Sequence, residues 1–252
     1  MFVDSHTHLL RLEISPEAAV EGAAEMGVLA VVNIGTDVED SRKGAALAAA
    51  LPNVYSSAGI HPHNAGTYTA ADLEALAELS ESPGIVALGE GGLDYYRGDW
   101  SAEIQKALFE DVISLANDTR LPLVIHSRQV FADTMACLGR ARVPIVLHCF
   151  EGGEREAKEA AERGYYLGLA GNVTYKNSQT ADILGMLDPE RILVETDAPY
   201  LSPQAVRSKK NEPKHVVHTA RFVAERIGMG EEEFGPLTSR NARNVFGLPL
   251  EI

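Results

Sequence analysis

The chain has 252 residues, 45% of them hydrophobic and 23% charged, with a formal net charge of −14. That is the composition of an ordinary globular protein, large enough to bury roughly three-quarters of its unfolded surface without disulfides or a structural metal. It excludes sequence-independent adhesion to nucleic acid through a basic surface, and no apolar run nears the ~20 residues of a transmembrane helix.

Strand-like and helical stretches alternate along the chain. Residues 2–5 read as a first strand, which begins too early to leave room for a signal peptide. The two cysteines, Cys137 and Cys149, lack a metal-binding spacing, and with the missing leader they predict a reducing, cytoplasmic setting. Residues 16–26 are helical, with Ser15 at the N-cap and Pro16 at the first position. Gly27 ends that helix, and 28–34, nearly all apolar, reads as a buried parallel strand. A helix over 37–50 stopped by Pro52, a strand over 54–59, a helix over 70–80 and a strand over 84–89 follow. After a glycine-rich loop Ser101 caps the longest helix, 102–117. Strands are then expected at 123–125, 144–147, 165–169 and 192–194, with helices at 130–138, 154–163 and 178–187. In the helix over 213–227, Val216, Ala220, Val223, Ala224 and Ile227 keep the helical period. Two short helices near Glu231 and Asn241 are expected to finish the chain, with the acidic run 231–233 as a solvated helix start. This uninterrupted series of eight strand–helix pairs predicts an α/β fold, a single (β/α)8 TIM barrel with one domain over 1–252. Active sites of that fold lie at the C-terminal ends of the strands.

Six of the eight histidines stand just after apolar runs: His6 and His8, His61 and His63, His126, and His148. Carboxylates do the same at Glu90 and at Glu195 with Asp197. Residues two apart in a strand share a face, so His6 and His8 point into one space. On a barrel they meet Glu90, His126, His148 and Asp197 at one mouth. Buried charges are costly without partners or a cation, and neutral imidazole with carboxylate suits Zn²⁺, Mn²⁺ or a related divalent ion. Two ions are therefore expected (Zn, Mn or Mg): one on His6, His8 and Asp197, the other on His126 and His148, with Glu90 between. Such ions, ~3.5–4 Å apart, lower the pKa of a trapped water toward ~7, and Asp197 is the best-placed general base. Glu195 is expected behind the ligands rather than among them.

At these residues the chain resembles the TatD family of metal-dependent hydrolases, within the amidohydrolase-like barrels. The matching pieces are D-S-H-T-H-L at 4–9, G-I-H-P-H at 59–63, G-E-G-G-L-D-Y-Y at 89–96 and P-L-V-I-H-S-R at 122–128. They continue with L-H-C-F at 147–150, V-T-Y-K-N at 173–177, E-T-D-A-P-Y-L at 195–201 and N-E-P at 211–213, and so cover essentially the whole chain. The resemblance implies the same ligand set and a phosphodiesterase acting on DNA, a 3′–5′ exonuclease preferring single strands or nicks. Gly91 and Val206 depart from the family pattern where a larger residue and an aromatic are usual.

A phosphodiester needs cationic and N–H donors. His61, His63, Arg128, Lys176 and Arg207 follow strands and are the candidates for substrate contact. Tyr95, Tyr96, Trp100 and Tyr175 are candidates to stack bases, whereas His215 and His218 are expected at the surface. A monomer with no membrane contact is expected. The alternative is a two-metal hydrolase of a small-molecule amide, ester or lactone, because such barrels host many chemistries.

Overall fold

The computed structural model describes residues 1–98 and 100–251. The strands are β1 (Phe2–Thr7), β2 (Val28–Asn33), β3 (Val54–Ala58), β4 (Ile85–Asp94), β5 (Leu123–Arg128), β6 (Ile145–Leu147), β7 (Tyr166–Leu169) and β8 (Ile192–Val194). Between and after them run α1 (Pro16–Glu25), α2 (Val38–Ala50), α3 (Ala70–Ser80), α4 (Ala102–Thr119), α5 (Phe131–Cys137), α6 (Glu154–Glu162), α7 (Gln179–Ile183), α8 (Val216–Ile227) and α9 (Glu231–Phe246). All eight strands belong to one sheet in chain order, and the pairs β1–β2, β3–β4, β4–β5, β5–β6 and β7–β8 are parallel. Past the end of β8, Ala198 forms a parallel bridge with Thr7, and the Asp197 amide donates to the His6 carbonyl at 2.9 Å. The last strand thus runs beside the first, the closure that a (β/α)8 barrel requires.

The backbone groups into two compact units: Met1–Asn33 with His148–Ile252, and Ile34–Leu147. In the first, buried Phe2, Val3, Leu167, Leu169, Leu193 and Val194 of the strands are covered by helices whose buried faces include Val216, Ala220, Val223, Ala224 and Phe234. In the second, Leu88, Leu93, Leu123, Val124 and Ile125 are buried with Leu108, Phe109, Val112, Ile113 and Ala116 of α4. That α4 set recurs every three to four residues, the stripe that docks a helix on a sheet.

Three expectations change. The two short C-terminal helices are one, α9, which runs through Pro236. Phe234, Leu237, Thr238, Ala242, Val245 and Phe246 form a continuous buried face, and that burial outweighs the ~3 kcal/mol cost of an interior proline. Strand β4 extends to Asp94, five residues past the expected end, because Gly91 and Gly92 read as loop in sequence yet pair with Ile125 and His126 of β5. His215, expected at the surface, is 4% exposed, and His218 is half-buried. The turn Pro213–His215 ahead of α8 is folded inward, where the Asn211 amide donates to the Thr196 carbonyl at 2.8 Å.

Candidate metal centre

Each unit gathers imidazoles and carboxylates at the C-terminal ends of its strands. In the first unit, β1 brings His6 and His8, the chain after β8 brings Glu195 and Asp197, and His148 opens the segment that follows β6. One oxygen, Asp197 Oδ1, lies 3.8 Å from His6 Nε2, 3.4 Å from His8 Nε2 and 4.0 Å from His148 Nε2. The His6 and His148 rings stack with centroids 3.4 Å apart. Both rings turn Nε2 toward the same Asp197 oxygen, and a neutral imidazole presents there the lone pair through which histidine binds a cation.

The carboxylates around these rings have separate tasks. Burial pushes the Asp197 carboxyl up, but the His8 hydrogen bond and the His148, His6 and His8 rings outweigh it and hold its pKa below the ordinary value. Asp197 is therefore an anion at neutral pH, and it sits at positive φ, 54°, a conformation that aspartate tolerates better than most residues. Glu195 Oε1 lies 2.7 Å from His148 Nδ1 and also accepts the Cys149 amide at 2.7 Å. A carboxylate on Nδ1 fixes the ring with Nε2 toward Asp197, as outer carboxylates do behind metal-bound histidines. Asp4, which sequence reasoning passed over, is fully buried, and its carboxylate accepts the Thr196 amide at 2.8 Å and the Thr196 hydroxyl at 2.6 Å. It ties β1 to the turn that carries Asp197, and burial raises its pKa well above normal.

In the second unit, Glu90 and Asp94 of β4 face His126 of β5 and the two histidines after β3. Glu90 Oε1 is 2.7 Å from His126 Nδ1 and 3.8 Å from His61 Nε2. Asp94 Oδ2 is 3.0 Å from His126 Nε2 and 3.1 Å from His63 Nε2. Burial raises the Asp94 pKa, but the His126 hydrogen bond and charge, helped by the Arg97 amide and by His63, pull it far below its usual value. Burial, partly opposed by Glu90, keeps His61 neutral.

These donors fit divalent cations. Ligand atoms of His6, His148 and Glu195 all lie within 4.8 Å of one another, and so do those of His61, Glu90 and His126. The first unit brings together His6, His8, His148 and Asp197; the second brings together Glu90 and His126. His61, expected at the substrate, stands with the candidate ligands. Asp94 was missed, although it lies in the same motif as Glu90; four residues on in a regular strand, it falls on the same face.

The family profile described as TatD related DNase matches residues 3–247. The chain belongs to the TatD family. Among TatD relatives, the metal-dependent hydrolase YabD of Bacillus subtilis is 33% identical, covering 98% of this chain and 99% of its own. The 3′–5′ ssDNA/RNA exonuclease TatD of Escherichia coli is 32% identical over 90% of both chains. The crystal structure of the TatD homologue YJJV from Escherichia coli superposes with a TM-score of 0.93 at 28% identity over 98% of both chains. The TatD-family chain described here is thus a metal-dependent hydrolase with the TIM-barrel fold.

Of the other candidates for substrate contact, Arg128, Lys176 and Arg207 are exposed at strand ends and loops. The Arg128 guanidinium lies 3.9 Å from the ring centroid of Tyr96, and that of Arg207 lies 4.2 Å from the ring centroid of Tyr175. Three of the four aromatics have partners of their own. Trp100 donates to the His63 carbonyl at 2.8 Å, the Tyr95 hydroxyl to Asp133 at 2.9 Å, and the Tyr175 hydroxyl to the Ser202 carbonyl at 2.9 Å.

Proposed function

We propose that this chain is a metal-dependent nuclease that cleaves phosphodiester bonds of DNA, as a 3′–5′ exonuclease preferring single strands or nicks. The observation that carries the reading is the convergence of three imidazole Nε2 atoms on Asp197 Oδ1 in a buried site. The names of the TatD relatives support the substrate class.

In this reading His6, His8 and Asp197 would hold one divalent ion and His126 and His148 the other, with Glu90 serving both. When bound, such a pair supplies an acidified water and positive charge against the phosphodiester. Asp197, anionic at neutral pH, accepts the proton of the attacking water. Glu195 holds His148 from its Nδ1 side, and Asp94 holds His126 and His63. Arg128, Lys176, Arg207 and His63 supply donors to the phosphates of the strand.

Chelation followed by addition of Mn²⁺, Mg²⁺ or Zn²⁺ tests this on a labelled single-stranded oligonucleotide. Release of mononucleotides should stop with EDTA, return with a cation and vanish in His6→Ala. Activity that survives both EDTA and His6→Ala ends the proposal. An enzyme that leaves the oligonucleotide intact with every cation and opens an amide, ester or lactone instead has the alternative function.

A further inference from the structure

We infer that Tyr96 and Arg128 form a one-nucleotide platform, the phenol ring stacking a base of a single strand while the guanidinium takes a neighbouring phosphate. The inference rests on the nuclease reading and specifies how such an enzyme would favour unpaired strands. Tyr96 is 57% exposed, unlike its neighbour Tyr95, and the Arg128 guanidinium lies 3.9 Å from its ring centroid. A large aromatic held this open at the surface has apolar area that water solvates poorly. The guanidinium lies over one face of the ring, so a base would stack on the other, and its N–H donors are offered to a phosphodiester.

The platform is built rather than loose. The Tyr96 and Arg97 amides donate to Asp94 Oδ1 at 2.9 and 3.2 Å, while Asp94 Oδ2 faces His126 and His63. One carboxylate therefore positions both the histidines and the turn that carries the tyrosine. Gln105 clamps the same turn by accepting the Asp94 amide at 2.8 Å and donating to the Asp94 carbonyl at 2.9 Å. The Tyr95 amide donates to the Arg128 carbonyl at 3.2 Å, which fixes the turn against the end of β5. Arg128 itself lies two residues past His126, so the platform stands one strand step from the candidate ligands. A base paired in a duplex is already stacked on both faces and cannot occupy it.

Steady-state kinetics on two single-stranded oligodeoxynucleotides test the assignment, one unmodified and one with abasic residues at its last few 3′ positions. Tyr96→Ala should raise KM on the unmodified strand about ten-fold with kcat nearly unchanged, a change of ~1.4 kcal/mol and within the range for one stacked base. The same variant should leave KM on the abasic strand unchanged. Tyr96→Phe should restore wild-type KM on the unmodified strand, and Tyr96→Leu should not. Equal KM changes on both strands, no change on either, or full rescue by leucine would overturn the platform while leaving the nuclease reading intact. A wild-type enzyme that cuts neither strand with any cation overturns both.

Discussion

At the scale of single residues, the buried carboxylates divide by the atom each one faces. Asp197 turns one oxygen toward three imidazole Nε2 atoms, and Glu195 lies against the opposite nitrogen of one of those rings. Asp197→Asn keeps the size and removes the acid, and kcat on an oligonucleotide should fall by ~10²–10⁴-fold. Glu195→Gln should cost less, ~10–100-fold, because it loosens a ring instead of removing a proton acceptor. Equal losses in the two variants would put Glu195 on the reacting groups. His215 gives a second residue-scale prediction, in stability. Burial lowers its pKa from 6.5 to about 4, against the pull of Glu212. As pH falls the unfolded chain takes up this proton first. The contribution of His215 is thus complete above pH 6.5, is lost progressively between 6.5 and about 4, and is level below that. His215→Gln removes the titration, so the Tm advantage of the wild type over the variant should shrink as buffers move from about pH 7.5 to about 4.5. An advantage that grows toward acid would refute the assignment.

At the scale of elements, two close approaches set where the ligands stand. A Cβ on Gly59, just after β3, would lie 2.2 Å from the Gly89 carbonyl carbon and 2.7 Å from the Glu90 amide nitrogen. That contact is with backbone, so β4 itself would have to move and carry Glu90 with it. Gly59→Ala should therefore depress activity more than ten-fold and destabilise the fold by about 1–3 kcal/mol, the usual cost of overpacking. Denaturant unfolding and kcat measure the two effects, and a variant with wild-type values for both would show that β4 tolerates the shift. In the other unit, a Cβ on Gly168 of β7 would come 2.3 Å from Glu195 Oε2, so strand β7 leaves the space into which Glu195 folds. These glycines are required by a neighbour's proximity and not by an unusual φ.

At the scale of the whole molecule, the net charge of −14 means that long-range electrostatics oppose the approach of a nucleic-acid strand. Affinity then comes from a few local cations, and the salt dependence should be shallow. Each neutralised phosphate of a single strand contributes about −0.7 to the slope of log affinity against log salt. Contacts from Arg128 and one or two further groups predict a slope of about −1.4 to −2 for oligonucleotide affinity read as 1/KM, measured between low and moderate salt with the divalent ion held fixed. A slope steeper than about −4 would demand a long basic track that the composition does not favour.

The sequence by itself determined the alternation of strands and helices, the barrel class, and the placing of His6, His8, Glu90, His126, His148 and Asp197 at strand ends. Each of these is local: an apolar run of three to seven residues defines a strand, and the residue at its end is fixed by counting. Only the tertiary structure decided which side chains share a space. His63 meets Asp94 across 31 residues of chain, and Asp4 meets Thr196 across 192, distances over which no periodicity carries information. The same holds for His215, whose helix shows an amphipathic pattern but whose turn is drawn inward by Asn211 reaching the Thr196 carbonyl. Strand β4 likewise extends through glycines that weaken a strand locally, because pairing with β5 supplies hydrogen bonds that the local sequence does not reveal.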